Sequence, residues 1–304
     1  MSIFLAIFDW HRLKTEQHVR EQTGSRAHNF VVGLHNLGAS PPPGVKLLVA
    51  NRREVEYPLK KMPSHIIPCG PMISPSPPVG EADPELTEWL DRAPTVYINM
   101  GTHFQTSLPG IKAIMGGLRI VIDNIAAQRD RGGPITRLQV LWKLRGLDFT
   151  PEQQAEVNAL LGDELAKDTV RVVEWLKPAP LSVLNHPNVV CFVNHGGANS
   201  FLEGVVAATP QVVIPAWMDC FDFACRVELL GIGVWGNKKT TGYMLPWDLG
   251  AALTEVLIGP RSQAIRDKAQ ELGRLCNRVP GRVVAAKTIL AETQVRMAAE
   301  QAEL

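Results

Sequence analysis

From residue 95 onward, short apolar runs alternate with longer stretches whose apolar positions recur at helical spacing. The runs are Thr95 to Met100, Leu138 to Leu144, Val170 to Trp175, Val189 to Asn194, Gln211 to Ile214 and Ile232 to Trp235. Their near-continuous apolar character reads as strands buried on both faces. The intervening pattern predicts helices near 111–129, opening at Pro151, opening at Ser200 and near 221–230, with three more filling 246–304. Alternation of this kind predicts an α/β domain built on a parallel sheet flanked by helices. Residues 1–94 read differently: one strand-like run, Val45 to Ala50, stands among Pro41-Pro42-Pro43, Pro63 and Pro68. The stretch Ser74-Pro75-Ser76-Pro77-Pro78 reads as a linker. The expected organisation is a short irregular segment over 1–94 followed by an α/β domain over 95–304.

Composition narrows the class. The 304 residues are 45% apolar and 20% charged, as in ordinary globular proteins of one or two domains. A net charge of +1 argues against a broad nucleic-acid surface. The run Ile3 to Phe8 is too short for a membrane span and lacks a basic leader or a small-residue cleavage site. A cytoplasmic location without a membrane span is expected. The five cysteines are scattered and show no metal-ligand spacing, which fits reduced thiols and predicts no structural metal.

The most informative stretch runs from Val189 to Glu203, an apolar strand that passes through His195-Gly196-Gly197 into a helix start. Two glycines allow a tight turn, Asn199 or Ser200 can cap the helix, and the helix N-terminus presents N–H groups to an anion such as a phosphate. Each candidate has a plain reading beside the functional one. Ser200 and Glu203 fit a capping box, or Glu203 accepts hydrogen bonds from a ribose diol. His195 is a turn histidine or a ligand contact. Trp175 is core, or it stacks on a base at the ligand edge of the sheet. Thr102, after Met100-Gly101, is a plain turn residue or a phosphate contact. Asp219 is a helix N-cap or a partner for sugar hydroxyls.

Together, Trp175-Leu-Lys-Pro178-Ala-Pro180, His186-Pro187, Asn194-His195-Gly196-Gly197-Ala-Asn199-Ser200, Glu203, Pro210 and Pro215-Ala-Trp217-Met-Asp219 resemble the donor-binding signature of the UDP-glycosyltransferases, especially fungal ones. The resemblance covers about residues 45–304. It implies a GT-B architecture, in which two Rossmann-like domains face each other across a cleft, with residues 95–304 as the nucleotide-sugar domain and 1–94 as a remnant of the acceptor domain plus linker. It also implies roles. Trp175 would stack on uracil and Glu203 would hold the ribose. His195, Gly197, Asn199, Ser200 and Thr102 would hold the phosphates, and Asp219 would contact the sugar. The donor would be a UDP-sugar, with no prosthetic group and no metal.

Three positions depart from the family pattern. By the resemblance, the chain is expected to begin near where the family's first domain is ending, which would leave the acceptor pocket and its catalytic histidine without a counterpart here; His11, His18, His28 and His35 match no motif. Cys220 stands where a glutamine commonly follows the sugar-contacting aspartate. Ala208 stands where a glycine usually precedes the proline, which would cost about 1 kcal/mol if that position needs a positive φ. The expected function is the donor half of glycosyl transfer from a UDP-sugar to a small-molecule hydroxyl. Two alternatives are a repurposed cofactor-independent cyclase, for example one promoting a Diels–Alder cycloaddition in secondary metabolism, and a non-catalytic nucleotide-binding partner. A second chain supplying the acceptor domain, or a homodimer, is the expected partnership.

Overall fold

A computed structural model describes residues 45–302 except 103, 105, 130–132, 134, 146–149 and 241–242. The four N-terminal histidines therefore lie outside the described residues. The described part of the segment before residue 95, residues 45–94, is more structured than its composition predicts. Strand β1 (Leu47–Val49) pairs in parallel with β2 (Ile66–Pro68). Two short helices follow, α1 (Val79–Ala82) and α2 (Pro84–Leu90). Asp83 caps α2 by accepting the Leu86 N–H at 3.1 Å, and Pro84 occupies the first turn, where its missing N–H costs nothing. Elements of three to seven residues are too short to display a period, which is why only one strand is legible there. The Pro-rich stretch 74–78 carries no regular structure.

The domain that follows contains β3 (Thr95–Asn99), α3 (Leu108–Arg129), β4 (Gln139–Lys143), α4 (Pro151–Ala166), β5 (Val170–Val173), α5 (Pro180–Leu184), β6 (Val189–Asn194), α6 (Ala198–Val206), β7 (Gln211–Val213), α7 (Met218–Leu230) and β8 (Gly233–Trp235). Helices α8 (Pro246–Leu257), α9 (Ser262–Arg278) and α10 (Gly281–Ala302) complete the described chain. All six of the later strands run parallel, in the spatial order β5-β4-β3-β6-β7-β8. This is the doubly wound order, and it reverses direction between β3 and β6. Helices cannot cover the carboxyl ends at that reversal, because the connections leave it toward opposite sides, so a crevice opens there.

Alternation along the strands divides the core. Val96, Ile98, Val140, Trp142 and Val193 face α3 and α8, while Tyr97, Leu141 and Phe192 face α2 and α5. Tyr97 and Phe192 stack with ring centroids 5.5 Å apart across the β3–β6 pair, locking the two strands that border the crevice. The early segment is fastened to this domain by Arg226 of α7. Its guanidinium bonds Glu56 at 3.0 Å and Asp222 at 2.7 Å and lies over the Tyr57 ring. Arg52 donates to the Leu275 carbonyl of α9 at 2.7 Å, and Lys46 pairs with Glu292 of α10. The far half of α10 leaves Ile289, Leu290, Val295 and Met297 exposed. No described helix is long and apolar enough to cross a membrane.

Ala208, two residues past the last turn of α6, has φ +58. Alanine therefore holds here a left-handed conformation that glycine would adopt without strain. Relief of left-handed backbone strain is worth about 1–2 kcal/mol, less about 0.4–1 kcal/mol for the extra freedom glycine brings to the unfolded chain. Ala208→Gly is expected to stabilise the protein by up to about 1.5 kcal/mol in urea denaturation. An unchanged or lowered midpoint would show that the Ala208 methyl group, packed close to Gly273, contributes more than the strain costs.

Candidate functional site

Two matching hinges end the strands that border the crevice. At the end of β3, the Asn99 side-chain oxygen accepts the Gly101 N–H at 3.0 Å; at the end of β6, the Asn194 oxygen accepts the Gly196 N–H at 2.9 Å. Both glycines have φ +84, which side-chain-bearing residues rarely adopt. Each asparagine is itself held: Asn99 donates to the Tyr97 hydroxyl at 3.0 Å, and Asn194 donates at 3.1 Å to Gln211, which in turn donates to the Phe201 carbonyl. The repeated Asn-x-Gly spacing was the sequence signal for these supports, and reading single motifs misses it. The hinges bring two loops together around His195. A methyl group on Gly101 would come within 2.6 Å of the His195 ring, and one on Gly197 within 2.5 Å. Thr102, His195 and Gly197 are thus assembled at one place, with Thr102 exposed at the rim.

Helix α6 begins two residues earlier than the sequence suggests. Its N-cap is Gly197, with extended backbone and no side-chain cap bond. The expected cap at Asn199 or Ser200 is therefore corrected, and the Ser200–Glu203 capping box does not form, because both residues lie inside the helix. Two glycines let the chain reach helical geometry before either polar residue is available. The consequence is chemical: among the described residues no N-cap side chain accepts from the first N–H groups of α6, which lie beside the hinge. Ser200 is buried in the first turn and Asn199 is exposed.

Glu203 is half-buried, and burial alone pushes its carboxyl up to about 7. Trp175 lies two residues beyond the end of β5 and is 64% exposed, so it belongs neither to the strand nor to the core. Asp219 is exposed in the first turn of α7, whose N-cap is Trp217; Asp219 lies inside the helix, so its N-cap reading is corrected. Trp217 continues the aromatic surface, 5.7 Å from the His195 ring and 6.0 Å from Phe104. Cys220 is buried, its thiol pushed up by desolvation, and its carbonyl backs Gly196. The backbone of Cys220 thus supports the hinge from behind.

Residues 135–275 match the family described as UDP-glucoronosyl and UDP-glucosyl transferase, and this span contains every candidate position except Thr102. The chain carries a domain of the UDP-glycosyltransferase family. Glycosyltransferase sdnJ of Sordaria araneosa is 36% identical over 265 residues, 81% of this chain and 50% of that protein. UDP-glycosyltransferase 84B1 of Arabidopsis thaliana is 30% identical over 231 residues, 69% of this chain and 45% of that one. Apo UGT2 of Phytolacca americana superposes with a TM-score of 0.61 at 19% identity, covering 82% of this chain and 55% of its own, a likeness of fold. The chain spans about half the length of the curated UDP-glycosyltransferases it matches. Its six-stranded sheet is the Rossmann-like, GT-B type of domain that the resemblance implies.

Proposed function

We propose that this chain supplies the donor side of an inverting glycosyl transfer from a UDP-sugar to the hydroxyl of a small molecule. The observation that carries the reading is the pair of Asn-x-Gly hinges at the reversal of strand order, which leaves the uncapped α6 N-terminus aimed at the crevice. Unpartnered helix N–H groups complement a diphosphate. Thr102, His195, Gly197, Asn199 and Ser200 surround that place and would hold the phosphates. The exposed Trp175 indole would stack on uracil. Glu203 has burial as the cause of its raised pKa, and among the described residues no cation compensates it, so hydroxyl donors from a ribose diol would satisfy it. Asp219 would meet the sugar.

In the transfer itself, the acceptor oxygen forms its bond to the anomeric carbon as the bond from that carbon to the diphosphate breaks. The acceptor proton passes to a general base, and the electron pair leaves on UDP, where the α6 N–H groups stabilise the developing charge. The base belongs to the acceptor side, the other half of the relatives' length, supplied by a second chain or by further sequence. A cytoplasmic location agrees with the free state of Cys69, Cys191, Cys220, Cys225 and Cys276.

Calorimetric titration with UDP tests the reading. Binding with a dissociation constant of about 1–100 μM is expected, and His195→Ala should weaken it about tenfold, the loss of roughly one polar contact to an anion. Absence of binding up to millimolar UDP would sink the donor role and leave the cyclase alternative. Tight binding with no sugar transfer, alone or with the acceptor half added, would make the chain a nucleotide-binding partner.

A further inference from the structure

Resting on the donor reading, we propose that Lys143 is a positioning residue that holds the Trp175 indole at the carboxyl edge of the sheet, ready to receive a nucleotide base. Lys143 ends β4, in register with Asn99 of β3, and so stands at the same edge as the first hinge. Its side chain is 8% exposed, and among the described residues no carboxylate pairs with it. The ammonium instead sits 3.9 Å from the centroid of the Trp175 ring. Trp175 follows β5 in a loop and is 64% exposed, so no packed core fixes its ring. A cation anchored on a strand end restricts that ring by attraction to its π-face, and restriction before binding lowers the ordering cost of stacking. Burial, followed by the charge of Arg145, holds the Lys143 pKa below the ordinary lysine range, as befits an ammonium whose compensation is an aromatic face. Lys143 acts here through Trp175 and touches neither base nor phosphate.

Lys143→Met keeps the length of the side chain and removes the charge; Lys143→Arg restores a cation. Two measurements decide the proposal. In the ligand-free protein, the indole N–H resonance of Trp175, assigned by its loss in Trp175→Leu, should shift in Lys143→Met and return toward the parent position in Lys143→Arg. In calorimetry, Lys143→Met should weaken UDP about 3- to 10-fold and leave inorganic pyrophosphate within about 2-fold, and it should have no further effect in the Trp175→Leu background. An unmoved indole resonance overturns the proposal, as does an equal loss of pyrophosphate affinity or a Lys143→Met effect that persists without Trp175, since either would make Lys143 a direct phosphate contact. Should the parent protein fail to bind UDP, the donor reading falls, while the indole resonance still decides whether Lys143 positions the ring.

Discussion

Gly196→Ala is expected to destabilise the protein by about 2–5 kcal/mol and to abolish UDP binding. The backbone there has φ +84, a conformation that costs a residue with a side chain about 1–2 kcal/mol. The added methyl would lie 2.6 Å from the Cys220 carbonyl oxygen and 3.0 Å from a Val213 methyl. The carbonyl belongs to the backbone of α7 and cannot rotate aside, so the overlap adds about 1–3 kcal/mol. Against a total stability of about 5–15 kcal/mol, such a loss is large. The control is Gly231→Ala at the left-handed C-cap of α7, with φ +69 and its nearest neighbour, a Lys268 side-chain carbon, 3.9 Å away. That variant carries the backbone cost alone and leaves UDP binding intact. Denaturant midpoints and UDP titration of the two variants side by side provide the check; equal destabilisation with binding retained in both would mean that the hinge is not built on this glycine.

Glu203→Gln is expected to weaken UDP-glucose by about 10- to 100-fold at pH 8, because two ribose hydroxyls would exchange a carboxylate acceptor for a neutral amide. The pH dependence carries a second signature. Burial raises the folded carboxyl to about 7 from 4.5, so its contribution to stability is complete below about pH 4.5 and is lost as the pH rises through about 7. The parent should therefore lose stability across this window, and Glu203→Gln should lose less. Hydroxyl donors favour the ionised carboxylate, so UDP-glucose binding near pH 7 should release protons from the parent and none from the variant. UDP-glucose suits this measurement because its diphosphate, esterified at both ends, does not titrate in the range. Calorimetry in buffers of different ionisation enthalpy reads the release directly; identical proton release in the two proteins would remove Glu203 from the ribose role.

The alternation of apolar runs placed every strand of the large sheet, and β6 runs over the same residues, Val189–Asn194, in sequence and structure. It succeeded because strands buried on both faces must be apolar throughout, a demand that survives in any tertiary context. Element ends followed less closely. Trp175 extends the apolar run of β5 in sequence, yet pairing stops at Val173, so the indole stands in a loop, exposed. Ser200 looked like a cap because caps are chemical, but the helix starts at Ala198 because the two preceding glycines let the backbone turn sooner.

What the sequence determined by itself is therefore the parallel α/β architecture, the glycine turn after β6 and the family to which that turn belongs, since these follow from residue type and local spacing. The tertiary structure alone decided that Asn99 and Asn194 shape equivalent hinges, that Glu203 is desolvated, and that Lys143 lies on Trp175. Each of these joins residues from different strands or helices, and their meeting is set by strand order and register, which no local pattern encodes.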